Sequence, residues 1–216
     1  MSSSILKASA RTTAIMIAFT IIGTAMLAYT FDITRETISK NEEAEKLALI
    51  SQTLPHNIFD NNLVQDAITL PASDDLGNDK PSQAFRASLN GKTTAIVLEV
   101  VAPDGYSGKI KLLVAILSNG EISGVRVVAH NETPGLGDYI DIAKSAWIKI
   151  FDNTSLSKVR TQDWKVKKDG GQFDYMAGAT ITPRAVVKAV HKSLLYFEKN
   201  QTKLLAIATN NPERQP

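Results

Sequence analysis

An uncharged run of twenty residues, Thr12–Phe31, is the feature that most constrains this chain. At about 1.5 Å of rise per residue, a helix of this length spans roughly 30 Å, the thickness of bilayer hydrocarbon. Its apolar residues lie on every face, which disfavours a soluble core helix. A cleaved signal peptide is the alternative, but the run is longer than a typical signal core and no clear cleavage site follows. The sequence therefore predicts one transmembrane helix.

The charges flanking this run give a weak indication of its orientation. Lys7 and Arg11 precede it, and positive residues favour the cytoplasmic side of a membrane. Three further positive residues follow it by position 46, so the two ends differ little. On charge alone we expect residues 1–11 in the cytoplasm, residues 12–31 in the bilayer and the rest of the chain outside the cytoplasm.

The composition excludes several kinds of site. The 216 residues carry 24 basic and 22 acidic side chains, a balance that does not predict a nucleic-acid partner. Because the sequence has no cysteine, the chain can form no disulfide, iron–sulfur cluster or thiolate metal site of its own. Its three histidines match no metal-ligand spacing, so we expect no metal site.

Residues 32–80 predict a membrane-proximal helix followed by a linker. The helix, Ile33–Leu54, is rich in Glu, Lys, Ala and Leu, which favour helices, and Pro55 ends it. At the other end of the chain, residues 201–216 predict a polar tail whose last part is disordered.

Residues 81–200 predict one domain built on an antiparallel sheet. Three apolar, β-branched runs have the composition of strands, and the turn Asn119-Gly120 joins the last two as a hairpin. The predicted strands are Thr94–Val101, Lys109–Leu117 and Ile122–Ala129.

Two helices complete this α+β domain. The first, Asp141–Phe151, has an amphipathic pattern. The second, Thr182–Asn200, has Thr182 as a suitable N-cap and Pro183 at the first helical position. Two further short strands are predicted at Trp164–Lys167 and Gln172–Asp174.

Two segments have compositions that suit a ligand site. His130–Asp138 (HNETPGLGD) follows a strand, and its glycines can approach a ligand closely or adopt positive φ; an ordinary strand-to-helix turn is the alternative. Asp174–Pro183 (DYMAGATITP) places small residues before a helix start, where free N–H groups attract phosphate. Arg184 and Lys188 add positive charge nearby, and a tightly packed capping loop is the alternative here.

The second segment resembles the flavinylation motif of covalent FMN-binding domains, D-x-x-A-G-A-T followed by Thr182. Together with HNETPGLGD, the turn Gly105–Gly108 (GYSG) and one N-terminal anchor, it resembles the RnfG family of Rnf (Rsx) electron transport complexes. More distantly, the chain is similar to the NqrC component of the sodium-translocating NADH:quinone reductase. The chain departs from the common motif at Ala177, where Ser or Thr is usual, but this is not the attachment position.

The resemblance implies a cofactor and the residues that hold it. Thr180 would carry FMN through a phosphoester, within a motif that also includes Ala179 and Thr182. A separate flavin transferase would recognise Asp174 and Gly178. An outside enzyme is expected because an unactivated threonine hydroxyl is a weak nucleophile. By the same resemblance, the residues lining the flavin ring would be Glu132, Thr133, Gly135 and Leu136.

The resemblance also implies a function. The chain would be an electron-relay subunit of a bacterial inner-membrane complex that couples NADH- and ferredoxin-type electron transfer to ion translocation. Its partners would be the other complex subunits and the transferase, with the domain in the periplasm. A membrane-tethered binding or assembly module without cofactor is the alternative. A tethered hydrolase is disfavoured because GYSG is not the G-x-S-x-G of a nucleophile elbow.

Overall fold

A computed structural model describes residues 2–206; in its first helix, side chains are described at residues 7, 9–35 and 38 and from residue 48 onward. The predicted disordered end of the tail lies outside the described residues. The chain divides into two compact units, residues 1–45 and 46–216.

Helix α1 (Ser2–Thr53) joins the two predicted N-terminal helices into one. Its segment Ser9–Arg35 is long and apolar enough to cross a membrane, and none of its most apolar stretch is buried in the protein. Three threonine hydroxyls in this segment donate to the carbonyl four residues earlier, which satisfies them where water is absent. They are Thr20, Thr30 and Thr34, with oxygen–oxygen distances of 2.9, 2.8 and 2.8 Å.

The second unit is built on a five-stranded sheet in which each strand pairs antiparallel with the next along the chain. The three predicted strands are confirmed as its last three. Its first two strands were not predicted, so the sheet includes residues that were expected to form the linker. The strands are β1 (Ala67–Leu70), β2 (Ser82–Leu89), β3 (Lys92–Gly105), β4 (Gly108–Leu117) and β5 (Ile122–Ala129).

Both faces of the sheet are buried. On one face, helix α2 (Ile181–Leu205) packs across β3 and β4, with Val186 and Val190 in the same core as Ile96 and Leu98. On the other face, Ile50 and Leu54, at the end of α1 and just beyond it, form a second core with Phe85, Val97 and Leu113. Because successive side chains of a strand point to opposite faces, a strand buried on both sides is a continuous apolar run.

The last turn of α1 is held by strand β5. Ser123 Oγ donates to the carbonyl of Thr53 at 2.8 Å, and Arg126 Nη2 donates to the carbonyl of Gln52 at 3.1 Å. A Cβ at Gly124 would lie 3.0 Å from the Thr53 oxygen, so the smallest residue fits here best. The carbonyls left without partners at the helix end are thus satisfied by the sheet.

The region between β5 and α2 differs from the prediction. The amphipathic α-helix expected at Asp141–Phe151 is absent: residues 141–145 form a turn, and Ala146–Phe151 is a short 3₁₀ helix. Another 3₁₀ helix, Gly137–Ile140, precedes this segment. The aromatic and β-branched residues of Asp141–Phe151 have low helix propensity, and Ser145 caps the second 3₁₀ helix by accepting from the Trp147 N–H. The two expected short strands make a single parallel bridge, Val166 to Phe173.

Helix α2 begins one residue before the predicted start and ends five residues later, at Leu205. Arg86 contributes to this extension. Its side chain is buried, and Nε donates to the carbonyl of Leu204 at 3.1 Å. Burial lowers the pKa of the Arg86 guanidinium. Its positive charge interacts favourably with the negative, C-terminal end of the helix dipole.

Replacing this arginine should destabilise the domain. We expect Arg86→Met to lower the free energy of unfolding by about 1–3 kcal/mol, because it leaves a buried carbonyl without a donor. Denaturant unfolding of the purified chain, followed by circular dichroism, measures the loss. The control is Arg160→Met, which removes an exposed ion pair to Asp163 and should change stability by less than about 1 kcal/mol. Equal effects of the two substitutions would contradict the capping role.

Stability should also depend on the protonation of His191. This ring stacks on Trp164, with centroids 5.1 Å apart, and its Nε2 is buried without a partner among the described residues. Burial lowers the pKa of His191 in the folded chain. As the pH falls through the unfolded value of about 6.5, the unfolded chain takes up the proton first, so stability decreases. Denaturant unfolding between pH 7.5 and 5 should show a smaller decrease for His191→Phe than for the parent.

Candidate functional site

The two segments singled out in the sequence meet at one buried carboxylate. Glu132 follows strand β5, and its side chain is 4% exposed. Its Oε1 accepts from the backbone N–H of Ser107 at 3.0 Å, in the turn between β3 and β4. Its Oε2 accepts a hydrogen bond from Thr182 Oγ1, in the first turn of α2. The GYSG turn, the HNETPGLGD loop and the start of α2 are therefore joined by a single side chain.

Two glycines make room for this carboxylate. A Cβ at Gly105 would collide with the Gly108 carbonyl oxygen and lie 2.9 Å from Glu132 Oε1, so both the hairpin and the carboxylate exclude a side chain there. A Cβ at Gly137 would lie 2.8 Å from Thr182 Oγ1 and 2.9 Å from Glu132 Oε2. Real Cβ atoms do not approach polar atoms this closely, so Gly137 allows close packing around the carboxylate. Gly135 has a φ of +75°, in the left-handed region that glycine adopts more easily than other residues, as expected from the sequence.

The remaining residues of the predicted ring-lining set lie at the surface. Thr133, Gly135 and Leu136 are exposed. They form a tight turn in which the Leu136 N–H donates to the Thr133 carbonyl and the Gly135 N–H donates to Asp138 Oδ1 at 2.8 Å. Glu132 differs from these three, because both its carboxylate oxygens are bound inside the protein.

The hydroxyls of Thr180 and Thr182 have different environments. Thr182 is 1% exposed and lies inside the helix, so its prediction as the N-cap is wrong. Pro183 is accordingly the third helical residue, where its missing N–H still has no intrahelical acceptor to lose. Thr180 occupies the N-cap position, is half-buried and makes no side-chain capping hydrogen bond. The Thr182 hydroxyl is hydrogen-bonded to Glu132, whereas the Thr180 hydroxyl does not cap the helix.

The loop before Thr180 is open at its small residues. Gly178 has a φ of +87°, and a Cβ built there would have no atom within 4 Å. The turn is closed by the Ala179 N–H donating to the Met176 carbonyl at 3.1 Å. Asp174 and Gly178, the residues expected to be read by a transferase, are both exposed, while Ala179 is buried.

The helix start supplies free donors, but its nearby cations are already paired. The first backbone hydrogen bond of the α2 turn runs from the Arg184 N–H to the Thr180 carbonyl. The N–H groups of residues 180–182 therefore have no intrahelical acceptor. Arg184 forms two hydrogen bonds to Asp169, at 2.7 and 2.8 Å, which lower the pKa of that carboxyl. Lys188 pairs with Asp104, so neither cation is an unpaired charge for a phosphate.

Two aromatic side chains hold the loop of residues 174–180 from the core side; we call it the attachment loop because the motif predicts the flavin ester at Thr180. The Trp147 indole N–H donates to the carbonyl of Asp174 at 2.8 Å, and the hydroxyl of Tyr139 accepts from the Met176 N–H at 3.2 Å. The two rings meet edge to face, with centroids 5.4 Å apart. Desolvation raises the pKa of Tyr139, which keeps this hydroxyl neutral. From the sequence, Trp147 is expected only in the core or an interface, since no local pattern indicates its contact with the loop.

Exposed apolar side chains are concentrated around the same loops. Among residues 54–206, six large hydrophobic side chains are exposed, and five of them lie on the GYSG turn, the HNETPGLGD loop, the attachment loop or the first turn of α2. A planar apolar group attached in this region would find surfaces to cover. The five are Tyr106, Leu136, Tyr175, Met176 and Ile181.

Two family profiles match the sequence. One, described as FMN-binding domain, covers residues 105–195, which include the GYSG turn, Glu132, the attachment loop and the first turns of α2. The other, described as RnfG N-terminal region, covers residues 1–53, which coincide with helix α1.

Similar proteins extend over most of the chain. A Vibrio cholerae protein, named as the G subunit of the ion-translocating oxidoreductase complex, is 47% identical over 190 residues, 88% of this chain and 90% of that protein. Proteins of the same name from Shewanella loihica and Pseudomonas aeruginosa are 47% and 45% identical, over 187 and 188 residues; each match covers 87% of this chain and 88% of the relative. The resemblance seen in the motifs is confirmed, and the chain belongs to the RnfG family of ion-translocating oxidoreductase (Rnf) complexes, with its FMN-binding domain.

Proposed function

We propose that this chain relays electrons within an ion-translocating membrane complex by means of FMN esterified through its phosphate to Thr180. FMN accepts electrons singly or in pairs, so it can connect carriers of either kind. The observation that carries the proposal is the contrast between two neighbouring hydroxyls: that of Thr182 is bound to Glu132, whereas that of Thr180 makes no capping bond. Membership of the RnfG family supports the redox role.

The residues around Thr180 fit the phosphate end of FMN. A phosphodiester at the N-cap position lies at the positive end of the helix dipole, beside N–H groups that have no intrahelical acceptor. Gly178 leaves open space on the loop that leads to it. Among the described side chains, none hydrogen-bonds the Thr180 hydroxyl, so no base is in place there to activate it. This supports attachment by a separate flavin transferase.

The exposed apolar side chains fit the ring end. Leu136 and its neighbours Thr133 and Gly135 are accessible on one side of the site, and Tyr106 lies on the adjoining turn. Once the phosphate is tethered, even weak contacts with such side chains hold the ring, because the tether keeps its local concentration high.

The cellular setting belongs to the same proposal. Helix α1 anchors the chain in the bacterial inner membrane, with residues 1–11 in the cytoplasm and the FMN-binding domain in the periplasm. The complex would couple electron flow between NADH- and ferredoxin-type carriers to ion movement, with its other subunits as electron donor and acceptor. A covalent bond suits a compartment in which dissociated FMN would diffuse away.

Removing the Thr180 hydroxyl should remove the flavin. We expect chain purified from its own host to fluoresce under ultraviolet light on a denaturing gel and to have a mass equal to chain plus FMN minus water. Thr180→Ala should abolish both signals while the circular dichroism spectrum stays unchanged. The matched control is Thr202→Ala, an exposed threonine near the other end of α2, which should keep the flavin.

Either of two outcomes would refute this assignment. A fluorescent Thr180→Ala band places the ester on another residue. Parent chain that is dark and of unmodified mass removes the redox role and leaves a membrane-tethered binding or assembly module.

Because the chain has no cysteine, a single introduced cysteine would be its only thiol, and labelling that thiol tests the orientation of the domain. Gln162 is exposed in the folded domain, and Ser4 precedes the apolar segment. We expect Gln162→Cys to react with a membrane-impermeant maleimide applied to intact spheroplasts, and Ser4→Cys to react only after the membrane is opened. The reverse pattern would place the domain in the cytoplasm.

A further inference from the structure

We propose that Glu132 is a positioning residue that holds the flavin-bearing end of α2 and the two loops beside it as one rigid unit, instead of lining the ring. This inference rests on the proposed attachment of FMN to Thr180. It starts from a carboxylate that is 4% exposed and whose two oxygens bind different parts of the chain.

No described cation compensates the charge of this carboxylate. Among the side chains that the structure describes, no lysine or arginine lies within ion-pair distance of Glu132. A buried charge of this kind is costly unless hydrogen bonds satisfy it. Here the donors are the Ser107 N–H and the Thr182 hydroxyl, assisted by the positive end of α2. Because the two donors are neutral and lie on different segments, the carboxylate links the turn that carries Ser107 to the helix that carries Thr182.

The structure around the carboxylate is fitted to this role. Gly105 and Gly137 both lie where a side chain would collide with its oxygens. The Glu132 N–H is itself bound, donating to His130 Nδ1 at 3.1 Å. Backbone and side chain of Glu132 are thus both held by hydrogen bonds, and the residue is buried beneath the loop surface where a ring would lie.

Each partner of the carboxylate adjoins a residue that would contact FMN. Thr182 lies two residues after Thr180 in the same helical turn, and Ser107 follows the exposed Tyr106. Leu136 precedes Gly137, which packs against the carboxylate. Losing Glu132 would therefore loosen the phosphate end and both apolar contacts together, while the ester bond to Thr180 remained.

The mobility of the ring distinguishes this role from a purely structural one. In full-length chain loaded with FMN by its host, we expect Glu132→Ala to add a picosecond-to-nanosecond component to the flavin fluorescence anisotropy decay. We also expect its midpoint potential to move toward that of free FMN. Intact mass confirms that each sample carries the flavin. Glu198→Ala, an exposed glutamate on α2, is the matched control and should behave as the parent.

Two conservative variants keep the test decisive if Glu132→Ala folds poorly. Glu132→Gln retains an oxygen that accepts from Ser107 and gains an N–H that can donate to Thr182, so it should restore the slow anisotropy decay. Thr182→Val keeps the shape of the side chain but removes its hydroxyl, so it should increase ring mobility less than Glu132→Ala does.

The same variants have a readout without the flavin. In chain expressed without the transferase, the Ser107 amide should exchange its hydrogen about tenfold faster in Glu132→Ala than in Glu198→Ala, because its acceptor is gone.

Loaded Glu132→Ala with the anisotropy decay and potential of the parent would overturn the positioning role and leave attachment at Thr180 intact. Unchanged Ser107 exchange would also overturn it. Chain that never acquires FMN would instead refute the proposed function.

Discussion

The sheet of this domain is buried on both faces, and that constraint determines where a ligand site can form. Helix α2 covers one face, and the end of α1 with the residues after it covers the other. The central residues of β3 and β4 are apolar and buried on both sides, so the middle of the sheet presents no open face to a ligand. A binding site must then be built from the connections at the ends of the strands, and the GYSG turn and the HNETPGLGD loop are two such connections.

Loops that carry a site need internal support, and two kinds are present here. Beneath the attachment loop, Trp147 and Tyr139 bind backbone groups of Asp174 and Met176. Beside it, Glu132 joins the start of α2 to the neighbouring turn. The two supports leave the Thr180 side chain outside both sets of hydrogen bonds. The loop is thus held by its backbone, while the hydroxyl that we propose carries FMN takes part in neither set of hydrogen bonds.

Much of this fold could be predicted from sequence, but only where the signal is local. The apolar anchor, strand β5 and the body of α2 were recognised because length, β-branched composition and periodicity are properties of a short window. Strand β2 was missed because Arg86 and other polar residues interrupt its apolar pattern, although Asn90-Gly91 after it is a hairpin turn with φ values of +51° and +74°. The motif predicts Thr180 as the attachment residue from a short window, whereas the contact between Glu132 and Thr182 joins residues 50 positions apart and has no local signal.

The row of aromatic rings that begins at Tyr139 has an optical consequence. It continues through Trp147, Phe151 and Phe173 to Trp164, with successive centroids 5.0–5.7 Å apart, and so contains both tryptophans of the chain. Trp147 is hydrogen-bonded to the loop that leads to Thr180. Indole emission overlaps the absorption band of an isoalloxazine, so a flavin held nearby would quench the fluorescence of Trp147 by energy transfer. The tryptophan fluorescence of the purified chain would therefore report how much of it carries a flavin.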